Sequence, residues 1–405
     1  MKRSNASLFI IVFGLLLIAV LSAALVFVYT GRSAESAVDV SPLEELAETI
    51  RSQYYFYDDK ELSDEKLVEA AMRGMVSELD DPYAEYYTQE EYDELLSENA
   101  GDYVGVGMTV TVPDDTGSTV VNVYADGPAD QAGIRSGDVI TVVNGTSTAN
   151  LTMDEMLALF SDDDDTPDSV TYLRDGVETT VSLTRAEVHI TRVTSTVYRG
   201  TIGYIHITEF NGSVATDFWD AAVALRDQGI RSLIIDLRND PGGGLSEVLA
   251  VANHLIPEGN TIVTIRSKSG DETVYSSEGD EQLDMNLAVL VNGDSASASE
   301  LLTGALKDYG LATIVGTQTY GKGIVQSFYR LENNGGWVKF TTDAYYTPNG
   351  TCIQGVGITP DIVVDLPEEL QSTSLELLDP DEDTQLQAAI RSLLDGASTS
   401  GAATR

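Results

Sequence analysis

Between residues 191 and 317 short apolar runs alternate with amphipathic stretches, and this alternation restricts the fold more than any other feature of the chain. "TIGYIHI", "SLIIDLR", "LAVLVNG" and "ATIVGT" read as strands; "ATDFWDAAVALRDQG", "LSEVLAVANHLI" and "SASELLTGALKDYG" read as the helices between them. A strand followed by a helix and another strand pairs in parallel, because the helix carries the chain back across the sheet. The expectation is an α/β core with a largely parallel sheet, followed by a hairpin over 329–346 around "NNGG". In such sheets ligands settle where the carboxyl end of a strand gives way to a helix. Two corners qualify: "DLRNDPGGG" (236–244) and "NGDSASASE" (292–300).

The rest of the chain has other textures. No charge occurs from residue 4 to residue 31, and "LFIIVFGLLLIAVLSAALVFVY" (8–29) is long enough as a helix, about 33 Å, to cross a bilayer core of about 30 Å. A cleaved signal peptide has a shorter apolar region, of about 7–15 residues. Lys2 and Arg3 precede the span, so residues 1–30 are expected to be a cytoplasmic N-terminus and single-pass anchor, with the remainder outside the cytoplasm. Residues 31–42 read as a linker. Residues 43–100 are helical in pattern, with "SDEKLVEAAMRGMVSEL" starting at the cap Ser63, a break at "DDPY" (80–83), and Thr88 and Glu91 forming a capping box. Residues 101–187 form short β-like runs with one helix, "TMDEMLALF" (152–160). The core occupies 188–365. Residues 366–405 are acidic, with one helical piece and a Ser/Ala/Thr tail expected to be disordered.

Composition excludes several functions. The chain carries 65 acidic and 23 basic residues, a net charge of −42, the opposite of a nucleic-acid-binding surface. One cysteine, Cys352, rules out an internal disulfide framework and a thiolate zinc site. The three histidines, His189, His206 and His254, are scattered, so no metal site is expected.

Some short motifs mislead. "DTG" (115–117) follows Pro113 and Asp114 rather than a buried strand and reads as a turn. "SDEK" (63–66) lacks the companion motifs of S-x-x-K enzymes. "SDDDDTPD" (161–168) lacks the glycine of a calcium loop. G-x-S-x-G is absent, and His206 sits in a strand pattern.

At the second corner, "SASE" (297–300) is itself a capping box, so Ser297 has a structural explanation. A serine there also meets the positive end of a helix, which stabilises developing negative charge. The glycines of the first corner, with the amide of Ala298, would make an oxyanion hole. No histidine is placed to act as base. Lysine serves if it is neutral, which takes roughly 3–4 kcal/mol of desolvation to bring its pKa from about 10.4 to about 7–8. Lys322, in "TYGKGIVQ", follows a strand and has no acid beside it in the sequence. These residues support a Ser/Lys dyad but do not choose among Ser295, Ser297 and Ser299.

"DLRNDPGGGL", "VLVNGDSASASELLTGALKDYG", "GTQTYGKGIVQ" and "CIQGVGITPDI" together closely resemble the C-terminal processing peptidases, the tail-specific serine protease family. "GPADQAGIRSGDVITVVNG" resembles the family's PDZ domain, and "LVEAAMRGMVSELDDPYAEYYTQEEY" its helical N-terminal region. The resemblance implies a multidomain α+β and α/β protein with an anchor, a helical region, a PDZ β-domain and a crotonase-like protease core. It implies Ser297 as nucleophile, Lys322 as general base and Gln326 as the residue that positions the amine. Gly242, Gly243 and Ala298 would supply the oxyanion hole. Val104, Gly105, Val106, Gly107 and Met108 would form the peptide-binding loop for a terminal carboxylate. The implied partners are protein or peptide substrates with flexible C-terminal tails and a second copy of the chain in a homodimer; no cofactor is implied. Two rivals remain: a non-catalytic membrane-tethered PDZ scaffold, and a crotonase-type acyl-transfer enzyme, which lacks any sign of nucleotide or coenzyme A recognition.

Overall fold

The computed structural model describes residues 38–400, apart from 59, 61, 161–165, 280 and 372. The apolar stretch read as an anchor lies outside them. Among the described residues no helix is long and apolar enough to cross a membrane.

Two compact units divide at Glu78 and Leu79. The first contains helices α1 (Ser41–Gln53) and α2 (Asp64–Ser77). Ser63 caps α2 by accepting from the Lys66 amide at 3.3 Å. Arg51 ties the two helices together through Asp64.

The second unit contains helix α3 (Gln89–Ala100), which carries the expected box: Thr88 N donates to Glu91 Oε2 at 2.7 Å, and Glu91 N donates to Thr88 Oγ1 at 3.2 Å. A β-rich layer follows, made of β1 (Met108–Val110), β2 (Ser118–Val123), β3 (Val139–Val143), helix α4 (Met153–Leu157), β4 (Asp168–Arg174) and β5 (Val177–Leu183). The strands are antiparallel in the order β1-β2-β3-β4-β5, so β1 is an edge. Val120, Ile140, Val143, Met156 and Val170 fill its core. The "DTG" is a turn in which Asp114 Oδ1 accepts from the amides of Thr116 and Gly117.

The main sheet contains β6 (Val193–Tyr198), β7 (Ile202–Ile207), β8 (Ser232–Asp236), β10 (Asn286–Val291), β11 (Ala312–Gly316) and β14 (Ile362–Val363), in that spatial order. Only β6 runs antiparallel to its neighbour; β7, β8, β10, β11 and β14 are parallel. Helices α5 (Val214–Asp227), α6 (Leu245–Leu255) and α7 (Ala298–Asp308) cover one face, burying Leu233, Ile235, Leu287 and Val289. The alternate residues, Ile234, Ala288 and Leu290, point the other way and are covered by helix α8 (Thr384–Ser400). A parallel sheet needs cover on both faces, which is why its strands are apolar throughout. The C-terminal helix, expected from the sequence as a helical piece in an acidic segment but not as part of the core, therefore completes it.

Arg238 clamps α8 to the sheet. Its guanidinium pairs with Asp236 at 2.6 Å and Asp383 at 2.9 Å, with all three nearly inaccessible to solvent. A second sheet is built around β13 (Trp337–Tyr346), which pairs with β9 (Thr261–Ser267), β12 (Ile324–Arg330) and the short strand Glu85–Tyr87.

Because α8 supplies half the cover, Ile390→Ala is expected to cost about 2–5 kcal/mol at this 2% exposed position. Leu394→Ala, on the solvent side at 44% exposure, should cost about 0.5 kcal/mol or less. Denaturant unfolding monitored by circular dichroism measures both.

Candidate active site

The two corners identified in the sequence lie side by side. β8 ends in the turn 237–244 and β10 ends in 292–297, on neighbouring parallel strands. Side-chain amides clamp them: Asn292 Nδ2 donates to Asn239 Oδ1 at 2.6 Å, and Asn239 N donates to Asn292 Oδ1 at 2.9 Å.

The three alternate serines have separate fates. Ser295 is fully buried and donates to the Leu237 carbonyl at 2.7 Å. Ser299 is fully buried and donates to the Asp240 carbonyl at 3.1 Å. Both hydroxyls fasten one corner to the other. Ser297 instead lines a cavity of about 500 Å³. Its φ of 55° is left-handed, a conformation that costs a non-glycine residue about 1–3 kcal/mol and concentrates at functional sites.

Ser297 is the N-cap of α7, so cap and cavity residue are the same side chain. The box partner Glu300 is fully buried and does more than cap. Its Oε2 accepts from the Ser297 amide at 3.0 Å and the Lys322 amide at 2.8 Å. Its Oε1 accepts from Thr319 Oγ1 at 2.6 Å and the Gly321 amide at 2.8 Å. One carboxylate thus joins the serine corner to the lysine loop. Tyr345 adds a second link: its hydroxyl reaches the carbonyls of both Ser297 and Lys322 and donates its one proton to either. Burial pushes that phenol well above its usual pKa, so the proton stays in place.

Lys322 lines the same cavity as Ser297. Burial, then the charge of Lys339, pushes its ammonium below the ordinary range, and Asp81 opposes them. The amine lies 4.2 Å from the centre of the Tyr83 ring. No hydrogen bond joins it to Ser297 Oγ. The "DDPY" break therefore delivers Tyr83 and Asp81 to the amine. Asp81 is fixed by the amides of Thr341 at 2.9 Å and Tyr83 at 3.0 Å, which hold its carboxyl below its usual range against its burial. Gln326, the third residue of β12, lines the cavity and donates to Thr341 Oγ1 at 3.2 Å.

The glycine turn presses against the serine. A Cβ on Gly242 would sit 2.8 Å from Ser297 Cβ and 2.9 Å from the Ala298 amide nitrogen, and one on Gly243 would sit 2.5 Å from the Phe210 carbonyl. The three residues expected to form an oxyanion hole are thus adjacent but not equivalent. The Gly242 amide donates to Asp240 Oδ1 at 2.8 Å and is already used. The amides of Gly243 and Ala298 have no acceptor among the described residues, and both residues line the cavity. No histidine lines it. His206 sits buried in β7, opposite Asp236.

A second cavity, of about 560 Å³, runs along the open edge of β1 and beside α4. Met108, Val110, Met153 and Leu157 give it an apolar lining, and Asn99 and Glu209 line both cavities. Of the loop residues proposed for peptide binding, Met108 lines this groove. Val106 and Gly107 lie just before it, their carbonyls accepting from Ala129 and Tyr124. Val104 and Gly105 pair instead with Glu187 and Ala186.

A serine on a strained strand-to-helix corner, with free amides beside it and a peptide-sized edge groove next door, defines a serine-hydrolase site joined to a peptide-binding module. Comparison with known proteins agrees. The profile of peptidase family S41 matches residues 201–364, the PDZ domain profile matches 103–184, and the profile named "Activating protease CtpB N-terminal domain" matches 28–91. A "Probable CtpA-like serine protease" of Staphylococcus aureus is 35% identical over 84% of this chain and 67% of its own length. A Staphylococcus epidermidis protein of the same description is 35% identical over 84% and 68%. The solved photosystem II D1 C-terminal processing protease is 31% identical, with a TM-score of 0.50 over 80% of this chain and 87% of that one. The chain belongs to the S41 family of serine peptidases and carries a PDZ domain.

Glu300→Ala leaves four donors without their acceptor and is expected to destabilise the protein by about 3 kcal/mol or more. Glu300→Gln, which keeps one carbonyl oxygen, should lose less. Urea unfolding of both variants checks the order.

Proposed function

We propose that the protein is an endopeptidase with a Ser297/Lys322 dyad that cleaves proteins whose flexible C-terminal tails dock in its PDZ groove. The observation that carries this reading is the Glu300 carboxylate, which holds the Ser297 and Lys322 backbones together so that both side chains enter one cavity. Lys322 Nζ, once neutral and swung from Tyr83, takes the proton from Ser297 Oγ as the oxygen attacks the peptide carbonyl. The amides of Gly243 and Ala298 receive the oxyanion. Lys322 returns the proton to the leaving amine, and water then hydrolyses the acyl-enzyme. Gln326 supports the amine from β12. A lysine can do a histidine's work here because the site is desolvated and the balance of nearby charge includes Lys339.

The tail joins the open edge of β1 as an added strand, with its apolar end residue among Met108, Val110, Met153 and Leu157. Asn99 and Glu209, shared by groove and cavity, mark the route between them. The apolar stretch 8–29 would hold the enzyme at the membrane with its catalytic part outside the cytoplasm.

The full chain, purified in detergent, is tested on casein and on a peptide with a flexible apolar tail. Ser297→Ala and Lys322→Ala are each expected to lower kcat at least about 10³-fold with the fold intact. Amidating the tail should raise KM with little change in kcat. Activity should rise with pH as Lys322 loses its proton, with a midpoint below that of an ordinary lysine. Cleavage that survives both substitutions would place the chemistry elsewhere, and binding of tails without cleavage would favour the scaffold.

A further inference from the structure

Asp240 is fully buried beneath the glycine turn and has no ion-pair partner among the described residues. Its Oδ1 accepts from the Gly242 amide, its Oδ2 has no hydrogen-bond partner, and its backbone carbonyl accepts from Ala296 N at 3.0 Å and from Ser299 Oγ. The charged group that acts on it is Glu209, from the segment after β7, and that effect is repulsive; α7 faces it with Ser299. An ionised carboxylate with one donor and an acidic neighbour is costly to bury, whereas the neutral acid keeps the Gly242 bond and loses the charge.

We propose that Asp240 works as an uncharged carboxylic acid that holds the Gly242 amide and so leaves the Gly243 amide turned into the cavity as oxyanion donor. This rests on the serine-peptidase mechanism above and makes Asp240 a positioning residue. Burial pushes its carboxyl well above the usual carboxylate range, against the pull of the Gly242 amide. Its ionisation would put a negative charge behind the turn that receives the oxyanion. The dyad then works between two limits: Lys322 has to lose its proton and Asp240 has to keep one.

Asparagine has the same shape, offers the same acceptor and cannot ionise. Asp240→Leu has no acceptor. In the full chain, Asp240→Leu is expected to lower kcat by about 10²-fold, the scale of one misplaced oxyanion donor, with KM little changed. Asp240→Asn should restore kcat to within about threefold of wild type at the wild-type optimum and exceed wild type on the alkaline side. An arm independent of catalysis uses the Ser297→Ala background, in which stability is compared with and without Asp240→Asn from pH 5 to pH 9. A carboxyl whose folded-state pKa lies above the unfolded value of about 3.9 stabilises fully only below that value. Stability then falls as pH rises toward the folded pKa, because the folded state holds the proton longer. The advantage of the amide over the acid should therefore grow with pH and level off. A stability difference that does not change with pH overturns the proposal even if the enzyme is active. Inactivity of every variant alongside a growing difference would instead sink the dyad and leave Asp240 neutral.

Discussion

The active site is held together by one buried carboxylate. Glu300 accepts four donors: one from the serine corner and three from the loop that carries the lysine. Two segments far apart in sequence are thereby fixed to a single point at the start of α7. An uncompensated acid at that depth would be unfavourable, and the converging amides remove the penalty while setting the geometry. The helix dipole adds to this, since the carboxylate lies in the first turn of α7, where negative charge is favoured. Ser297 and Lys322 line one cavity, and this contact, together with the Tyr345 hydroxyl, joins the backbones that carry them.

Around that point the remaining interactions are specialised. Ser295, Ser299 and the Asn239–Asn292 pair bind the two strand-end corners to each other. Gly242 and Gly243 let the first corner approach the second closer than any side chain would allow. Ser297 takes the backbone strain, and the free amides of Gly243 and Ala298 lie beside it. Lys322 rests on Tyr83 rather than on the serine, a cation-over-ring contact that favours its charged form. The proposed dyad therefore requires a movement of the amine, and the flexible lysine stem makes this a rotamer change rather than a rearrangement of the fold.

The parallel core and both site corners were legible in the sequence because buried strands read as apolar runs and glycine marks close approach. The capping box at Ser297 and Glu300 was legible too, but only as a cap. That Glu300 also reaches Lys322, Gly321 and Thr319 depends on tertiary contacts that no spacing encodes. The family resemblance singled out Ser297, but a physical reason for separating it from its neighbours came only with the hydrogen bonds of Ser295 and Ser299. The roles of Asp81 and Tyr83 were hidden for the same reason: "DDPY" reads as a helix break, and nothing local says where the broken end goes. The acidic C-terminal segment read as a helical piece with no assigned packing, yet Leu386, Ala389 and Ile390 close the second face of the sheet. Asp240 was passed over as part of a turn, since a buried acid without an ion-pair partner is visible only once its surroundings are known.

The measurement that bears most directly on the Ser297/Lys322 dyad is covalent trapping with a fluorophosphonate, followed by peptide mapping of the adduct at several pH values. The account predicts a single adduct on Ser297, forming faster as pH rises through the lysine's lowered pKa, and forming hardly at all in Lys322→Ala. An adduct on Ser295 or Ser299, or labelling of Ser297 at an unchanged rate without the lysine, would contradict it.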